Sequence, residues 1–292
     1  MQLIALPGIP RVAPGADLAA LVLDGLARAD TALQAGDIVV LAQKIVSKAE
    51  SRYVEFAGIT PSARALEIAR VVEKDPRLIE VILGESRAVL RQVPGVLIVE
   101  HRLGFVMANA GVDASNIEHA GERVERVLLL PIDPDGTAAT LAAALKARTG
   151  VAAGVVINDS VGRAWRNGTV GIALGSAGFP ALYDRRGERD LFGRVLQVTE
   201  VALADQIAAA ASLVQGEADE GRPVVLVRGF SRPPGVPDSN VRASGICSGD
   251  YHCNDASAAR AGTVRRRRWR QARARALPTA GRKPDGGREH RR

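Results

Sequence analysis

Apolar and polar positions follow several distinct rhythms along this chain, and each rhythm predicts an element. QLIALPGIP at 2–10 opens as a short strand that runs into a Pro/Gly turn. In PGADLAALVLDGLARA, Asp17 can cap a helix that places Leu18, Leu21, Val22 and Leu26 on one face. GDIVVLAQKIVSK follows a Gly-Asp turn as a β-branched run typical of a buried strand, and it delivers Lys44 and Lys48 at or beyond its end. TPSARALEIARVVEKD has Thr60 at a cap, Pro61 at the first helical position and apolar residues spaced by three and four, which predicts a helix. PRLIEVILGESRAVLRQ predicts a second helix that ends before Pro94.

Further on, VLIVEH at 96–101 and LGFVMANA at 103–110 predict a hairpin turning near Arg102 and Gly104, followed by AGVDASNIE, a small-residue loop too polar for the core. VERVLLLPIDPDG predicts a strand closed by a Pro/Asp turn, and TAATLAAALKARTG a helix closed by Gly150. VAAGVVINDSVGRAWRNGTVGIALGSAGFPAL reads as a strand, a polar loop and a Gly-rich stretch. VTEVALADQIAAAASLVQGEADEGRPVVLVRG reads as a strand, a helix, a Gly/acidic loop and a last strand. Hairpins mixed with helical crossovers predict an α+β fold with mixed sheets rather than a regular doubly wound one. The 292 residues, 47% of them apolar, suffice for a full core, expected over residues 1–230 as one domain or two intertwined subdomains.

Beyond Gly229 the periodicity stops, and residues 231–292 end in an Arg/Ala/Gly/Pro tract that predicts disorder. This tail holds 15 of the 39 Lys+Arg and 5 of the 32 Asp+Glu, a net of +10 against −3 for residues 1–230. The basic character therefore belongs to the tail, where RRRRWRQARAR offers charge and one Trp for nucleic acid. An acidic body without a nucleic-acid motif argues against that partner. Both cysteines, Cys247 and Cys253, lie in the tail, which excludes a disulfide framework or cysteine nucleophile in the body. With His252 they would still lack a fourth zinc ligand. No charge-free apolar window of about 18 residues occurs, and the N-terminus lacks a basic segment followed by an apolar run, so the expectation is a cytoplasmic protein with no membrane partner.

The P-loop signature, a strand-linked G-x-G-x-x-G and H-E-x-x-H are all missing, so a bound nucleotide would sit on neither a P-loop nor a Rossmann turn. Three acidic segments instead follow predicted strands or helices: GVDASN at 111–116, INDSVGR at 157–163 and QGEADE at 215–220. Carboxylates on such turns can converge on a hard cation that keeps waters and substrate phosphates. Each alone is equally an ordinary turn former or cap. Lys48 in VSKAES can reach a triphosphate or simply be a solvated lysine at a strand end, and Lys44 shares that ambiguity. Arg163 and Arg166 flank Trp165, an arrangement that suits phosphate or ring recognition and equally suits arginine stems packed on an indole.

IVSKAES, NAGVDASN, LLLPIDPDG, VVINDSVGRAWRNG, VTEVALADQIAAAASLVQGE and VVLVRGF occur here in order. In these motifs the chain resembles the coenzyme F420:L-glutamate ligases, both the stand-alone archaeal form and the N-terminal half of the actinobacterial two-domain form, across residues 1–230. The resemblance implies an F420 ligase-like fold, a homodimer and a GTP-dependent amide ligase. In that reaction the terminal carboxylate of F420-0, or of its dehydro form, becomes an acyl phosphate, which the amine of L-glutamate displaces to leave GDP and phosphate; further γ-linked glutamates can follow. Position by position, the resemblance assigns two manganese or magnesium ions to Asp113, Asp159, Ser160 and Glu217, with K+ as a further candidate. It makes Lys48 and Asp159 catalytic. GTP contacts fall on Ile9, Pro10, Arg11 and Val12, on Gln43, Lys44, Lys48 and Asn116, and on Gln215, Gly216, Glu217, Ala218, Asp219, Glu220, Gly221 and Arg222.

Four features depart from the family pattern. Ser160 stands where the family usually has Thr and keeps the hydroxyl. Gln43-Lys44 replaces small hydroxyl residues, and the GEADEG loop varies. After VVLVRGF the family's short apolar-Arg-Pro close is replaced by GICSGDYHCND and the arginine tract, which we read as the product of a frameshift or a mistaken gene model after about residue 240. The competing expectations are a carboxylate–amine ligase or kinase with another acceptor, and an inactive relic.

Overall fold

The run at 38–42 is apolar at every position because both faces of its strand are covered. In the computed structural model, which describes residues 1–118, 125–162 and 166–231, the elements in chain order are β1 (Gln2–Ala5), α1 (Leu18–Arg28), β2 (Ile38–Ala42), α2 (Gln43–Ala49), β3 (Tyr53–Glu55), α3 (Ala63–Val72), α4 (Pro76–Gly84), β4 (Ser86–Val93), β5 (Val96–His101), β6 (Val106–Ala108), β7 (Arg126–Leu128), α5 (Pro134–Thr149), β8 (Gly154–Gly162), β9 (Thr169–Ala177), β10 (Leu182–Asp184), β11 (Glu200–Ala202), α6 (Leu203–Gln215) and β12 (Val224–Arg228). Five of the strands form one sheet in the order β1-β12-β2-β8-β9, in which β2 and β8 are parallel and every other pair is antiparallel. Val39 and Leu41 point into a cluster with Val22 and Leu26 of α1 and Leu141 and Leu145 of α5. Ile38 and Val40 point the other way, against Ile207, Ala208 and Ala211 of α6. The period-2 alternation of a strand thus feeds two cores at once.

Residues between β2 and α5 build a separate apolar cluster, in which Ile68 and Val72 of α3, Ile79 and Ile82 of α4, and Leu97 and Val99 of β5 meet Val127 of β7. Its strands form the three-stranded sheet β4-β5-β6 and the pair β3-β7. Mixed sheets with hairpins and crossovers make this an α+β fold, as the pattern predicts. Asp17 caps α1 by accepting the Ala20 N–H at 3.0 Å, and Gly150 ends α5 with φ 75°.

Several elements differ from expectation. Residues 43–49 leave the strand and form α2, because Gln43, Ile45, Val46 and Ser47 are buried at helical spacing while the lysines between them stay more open. The cap of α3 is Ser62, which accepts the Ala65 N–H at 3.2 Å, and not Thr60. The second helix stops at Gly84, and SRAVLRQV pairs with β5 as β4 instead. Within 125–130, the described part of VERVLLL, the strand covers Arg126–Leu128. Asp159 and Ser160 lie inside β8, paired with Ile172 and Gly171, and the Gly-rich stretch is β9 itself. Arg163, Trp165 and the basic tail lie outside the described residues.

Glycines in β9 let two helices approach it. A Cβ on Gly175 would overlap the Pro134 carbonyl and lie 2.7 Å from the Asp135 N, and one on Gly171 would lie 2.6 Å from the Ala208 carbonyl oxygen. Carboxylates in the first turns of the same helices accept N–H groups of the strand: Asp135 from Ser176 and Asp205 from Ala173, each at 2.9 Å. Gly175→Ala is therefore expected to destabilise the protein by about 1–3 kcal/mol through overpacking. Gly84→Ala, at an exposed helical position with open space around it, is expected to be neutral or to stabilise by up to about 1 kcal/mol. Urea unfolding of the two variants beside wild type checks both; equal midpoints would contradict the close approach at β9.

Candidate active site

The sheet brings four chain segments out at one edge. β2 ends there with Ala42 opposite Asn158, and β8 runs past it to Gly162, carrying Asp159 and Ser160 beyond the end of β2. β12 starts there, with Val224 opposite Leu41, and β1 ends there, with Ala5 opposite Val225. The segments 9–14, α2, 158–160 and 216–223 consequently share this edge, and the loop 113–118 joins them from the second apolar cluster. Between them lies a cavity of about 1000 Å³. Its wall contains every site residue that the family resemblance assigns: Ile9, Pro10, Arg11 and Val12; Gln43, Lys44 and Lys48; Asp113 and Asn116; Asp159 and Ser160; and Gln215 through Arg222.

Lys44 and Lys48 stand one turn apart on α2, so both ammonium groups reach the same loop. Lys44 Nζ lies 2.8 Å from Asp113 Oδ2 and donates to Ser115 Oγ at 2.6 Å. Lys48 Nζ donates to the Asn116 carbonyl at 2.7 Å. Asn116, held at φ 55°, donates from Nδ2 to the Ala218 carbonyl at 3.2 Å and links this loop to 216–222. Burial, reinforced by the charge of Lys44, lowers the Lys48 ammonium below the usual lysine range. Burial pushes Asp113 up, but the hydrogen bonds from Lys44 and Ser115 outweigh it and hold the carboxyl below its usual range.

Asp159 behaves oppositely. Burial, with the charges of Asp113 and Glu217 adding to it against Lys44 and the Ser160 N–H, pushes its carboxyl up to about 7. Ser160 N donates to Asp159 Oδ1 and Ser160 Oγ donates to Glu217 Oε1, each at 2.9 Å. Among the described residues no three His, Cys, Asp or Glu side chains form a closed metal cage. The donors around the cavity are all oxygens, and Asp159 carries negative charge that its protein neighbours undercompensate. That chemistry fits an ion such as magnesium or manganese, which takes few carboxylates and completes its shell with water and substrate phosphate.

Two implied nucleotide contacts have their side chains turned into the protein. Gln43 accepts from Ser47 Oγ at 2.8 Å, and Gln215 accepts from Asn158 Nδ2 at 2.6 Å. The cavity wall also contains residues the sequence reading did not single out, including Tyr53, Glu118, Arg126 and Asn158. Arg126 stacks over the Tyr53 ring at 4.8 Å and donates from Nε to the Glu118 carbonyl at 2.9 Å. Nothing local in the sequence joins residues 53 and 126, which meet through the β3–β7 pairing. Asn158 did leave a signal, as a polar residue following a run of buried apolar ones.

Residues 8–229 match the family model described as F420-0:gamma-glutamyl ligase. The chain belongs to this family. The coenzyme F420:L-glutamate ligase of Methanothermobacter thermautotrophicus is 46% identical over 230 residues, covering 79% of this chain and 89% of that protein. That of Methanocaldococcus jannaschii is 45% identical over 203 residues, covering 70% and 79%. That of Archaeoglobus fulgidus is 39% identical over 231 residues, covering 79% and 88%. Membership of the F420-0:gamma-glutamyl ligase family accords with the fold. No helix among the described residues is long and apolar enough to cross a membrane.

The raised Asp159 makes metal-free stability depend on pH. Its folded value of about 7 lies above the ordinary 3.8, so the folded state holds more protons between them and stability falls as pH rises from about 4 to about 7. At roughly 1.4 kcal/mol per unit the full loss is about 4 kcal/mol. In EDTA, wild-type stability relative to Asp159→Asn is expected to decline by roughly 2–4 kcal/mol over this range in denaturant titrations. A flat difference would contradict the burial of the carboxyl.

Proposed function

We propose that this chain is a ligase that joins L-glutamate to coenzyme F420-0, or its dehydro form, with GTP as the energy source. The observation that carries the reading is the gathering of three acidic segments and two lysines around one cavity, at the positions that the family resemblance assigns to metal and nucleotide. The relatives' names give coenzyme F420 and L-glutamate as the pair that is joined.

The reaction needs two group transfers. First the acceptor carboxylate attacks the γ-phosphorus of GTP, forming a C–O–P linkage and releasing GDP. Then the glutamate amine attacks the acyl carbon, the C–N bond forms, phosphate leaves with the former carboxylate oxygen, and the amine loses its proton to a base. Asp113, Asp159, Ser160 and Glu217 are the residues that would hold divalent ions, and those ions would neutralise triphosphate charge. Lys48 and Lys44 hold cationic groups over the same cavity, where fixed positive charge stabilises phosphoryl transfer. Asn116 ties the loop of Asp113 to the loop of Glu217, so the two ligand segments cannot drift apart independently.

GDP release is expected to require F420-0, L-glutamate and Mn2+ or Mg2+ together. Asp159→Ala is expected to lower it at least about 100-fold, and Lys48→Ala about 100- to 1000-fold. With 18O in the acceptor carboxylate, label should appear in phosphate. GTP turnover indifferent to F420-0, or unlabelled phosphate, would sink the reading and favour another acceptor or mechanism.

A further inference from the structure

Asn158, Gln215 and the Pro223 carbonyl form a short chain of buried polar groups beneath the cavity. The Pro223 oxygen can only accept, and it receives Gln215 Nε2 at 3.3 Å and the Ala42 N–H at 2.8 Å. Gln215 must then turn its Oε1 toward Asn158, which answers with Nδ2 at 2.6 Å. The orientation of both amides is thereby fixed by one carbonyl. Asn158 and Gln215 are 4% and 7% exposed. The cost of this order is visible in Asn158 Oδ1, which is buried and has no partner among the described residues, beside Gly171, where a Cβ would come within 2.7 Å of it. A buried amide oxygen left unpaired is destabilising, so the arrangement is not what stability alone would select.

Its placement explains what it does. Asn158 immediately precedes Asp159 and Ser160 on β8. Gln215 is the last residue of α6 and immediately precedes Gly216 and Glu217, while Pro223 is where the same loop returns to β12. Ala42 is the last residue of β2, before the lysine helix. We infer that Asn158 and Gln215 are positioning residues: their amide clamp closes the base of loop 216–222 and sets the distance between Asp159-Ser160 and Glu217. The Ser160–Glu217 hydrogen bond above it completes a second, outer link between the same two segments. Gln215 in this role acts from within the wall and does not touch nucleotide through its side chain. The consequence for metal binding rests on the ligand set named under the proposed function; the closure of the loop does not.

Two variants test the clamp in the full chain: Gln215→Met, which is near-isosteric and keeps a good helix former at the end of α6, and Asn158→Ser, which truncates the other amide and serves should the first fail to fold. Hydrogen exchange on metal-free protein is the first readout. Faster exchange confined to 159–162 and 216–222, with β2 and β12 unchanged, is the expected result; unchanged exchange in these segments, or uniform loosening of the whole sheet, overturns the clamp. Titration of free Mn2+ by electron paramagnetic resonance is the second. Each variant is expected to bind Mn2+ about 10- to 100-fold more weakly, as is usual when groups supporting metal ligands are removed. The double variant should be no weaker than either single one. Full Mn2+ affinity in a variant whose melting temperature has fallen would reduce the pair to a merely structural role. If wild type itself binds no Mn2+, the metal assignment fails, and hydrogen exchange still decides the clamp.

Discussion

β2 and β8 lie parallel with Ala42 opposite Asn158, and this pairing places the end of β2 beside the point where buried β8 turns polar, at one edge of the sheet. Both strands are buried and apolar over their shared stretch, 38–41 and 155–157, and β8 turns polar from Asn158 onward, where it runs past the end of β2. The neighbours obey the same geometry. β12 is antiparallel to β2 and must begin at that edge, and β1 is antiparallel to β12 and must end there. Functional groups from distant parts of the chain are thus collected by strand direction and not by any local motif. A nucleotide site of the kind proposed would therefore need no glycine-rich phosphate loop.

Electrostatics at the edge is arranged in two halves. Lys44 and Lys48 compensate the loop of Asp113, whose carboxyl stays below its ordinary range, while Asp159 is buried and undercompensated. A carboxyl held near neutrality among other acids is an unfavourable arrangement that a bound cation relieves. The same sequence segment that supplies the lysines also supplies Gln43 and Ser47 to the interior, so the helix is anchored by its buried face while its charges look into the cavity.

Much of this was legible in the chain itself. The all-apolar 38–41 run, the Asp17 cap and the Gly150 stop each carry a local physical cause and stand where the pattern puts them. Helix α2 was obscured because Ile45 and Val46 are β-branched and continue the rhythm of the strand before it, while burial at helical spacing decided the outcome. The run 85–93 was ambiguous between periods until a partner strand was in place. Asp159 and Ser160 looked like loop residues because polar pairs usually are; β8 carries them because its last turns of pleat face the cavity. The acidic segments could be named one by one from the sequence. Their convergence depended on strand order, which composition does not encode and which only the family resemblance anticipated. Arg126 and Tyr53 had no local mark at all.

The central claim is that this sheet edge is a divalent-metal site shared by the three acidic segments. Anomalous diffraction at the manganese edge, from crystals of the full chain grown with MnCl2 and GDP, tests it most directly. The account predicts peaks between Asp113, Asp159, Ser160 and Glu217, in contact with nucleotide phosphate; an edge without anomalous signal, or manganese bound only elsewhere on the chain, would contradict it.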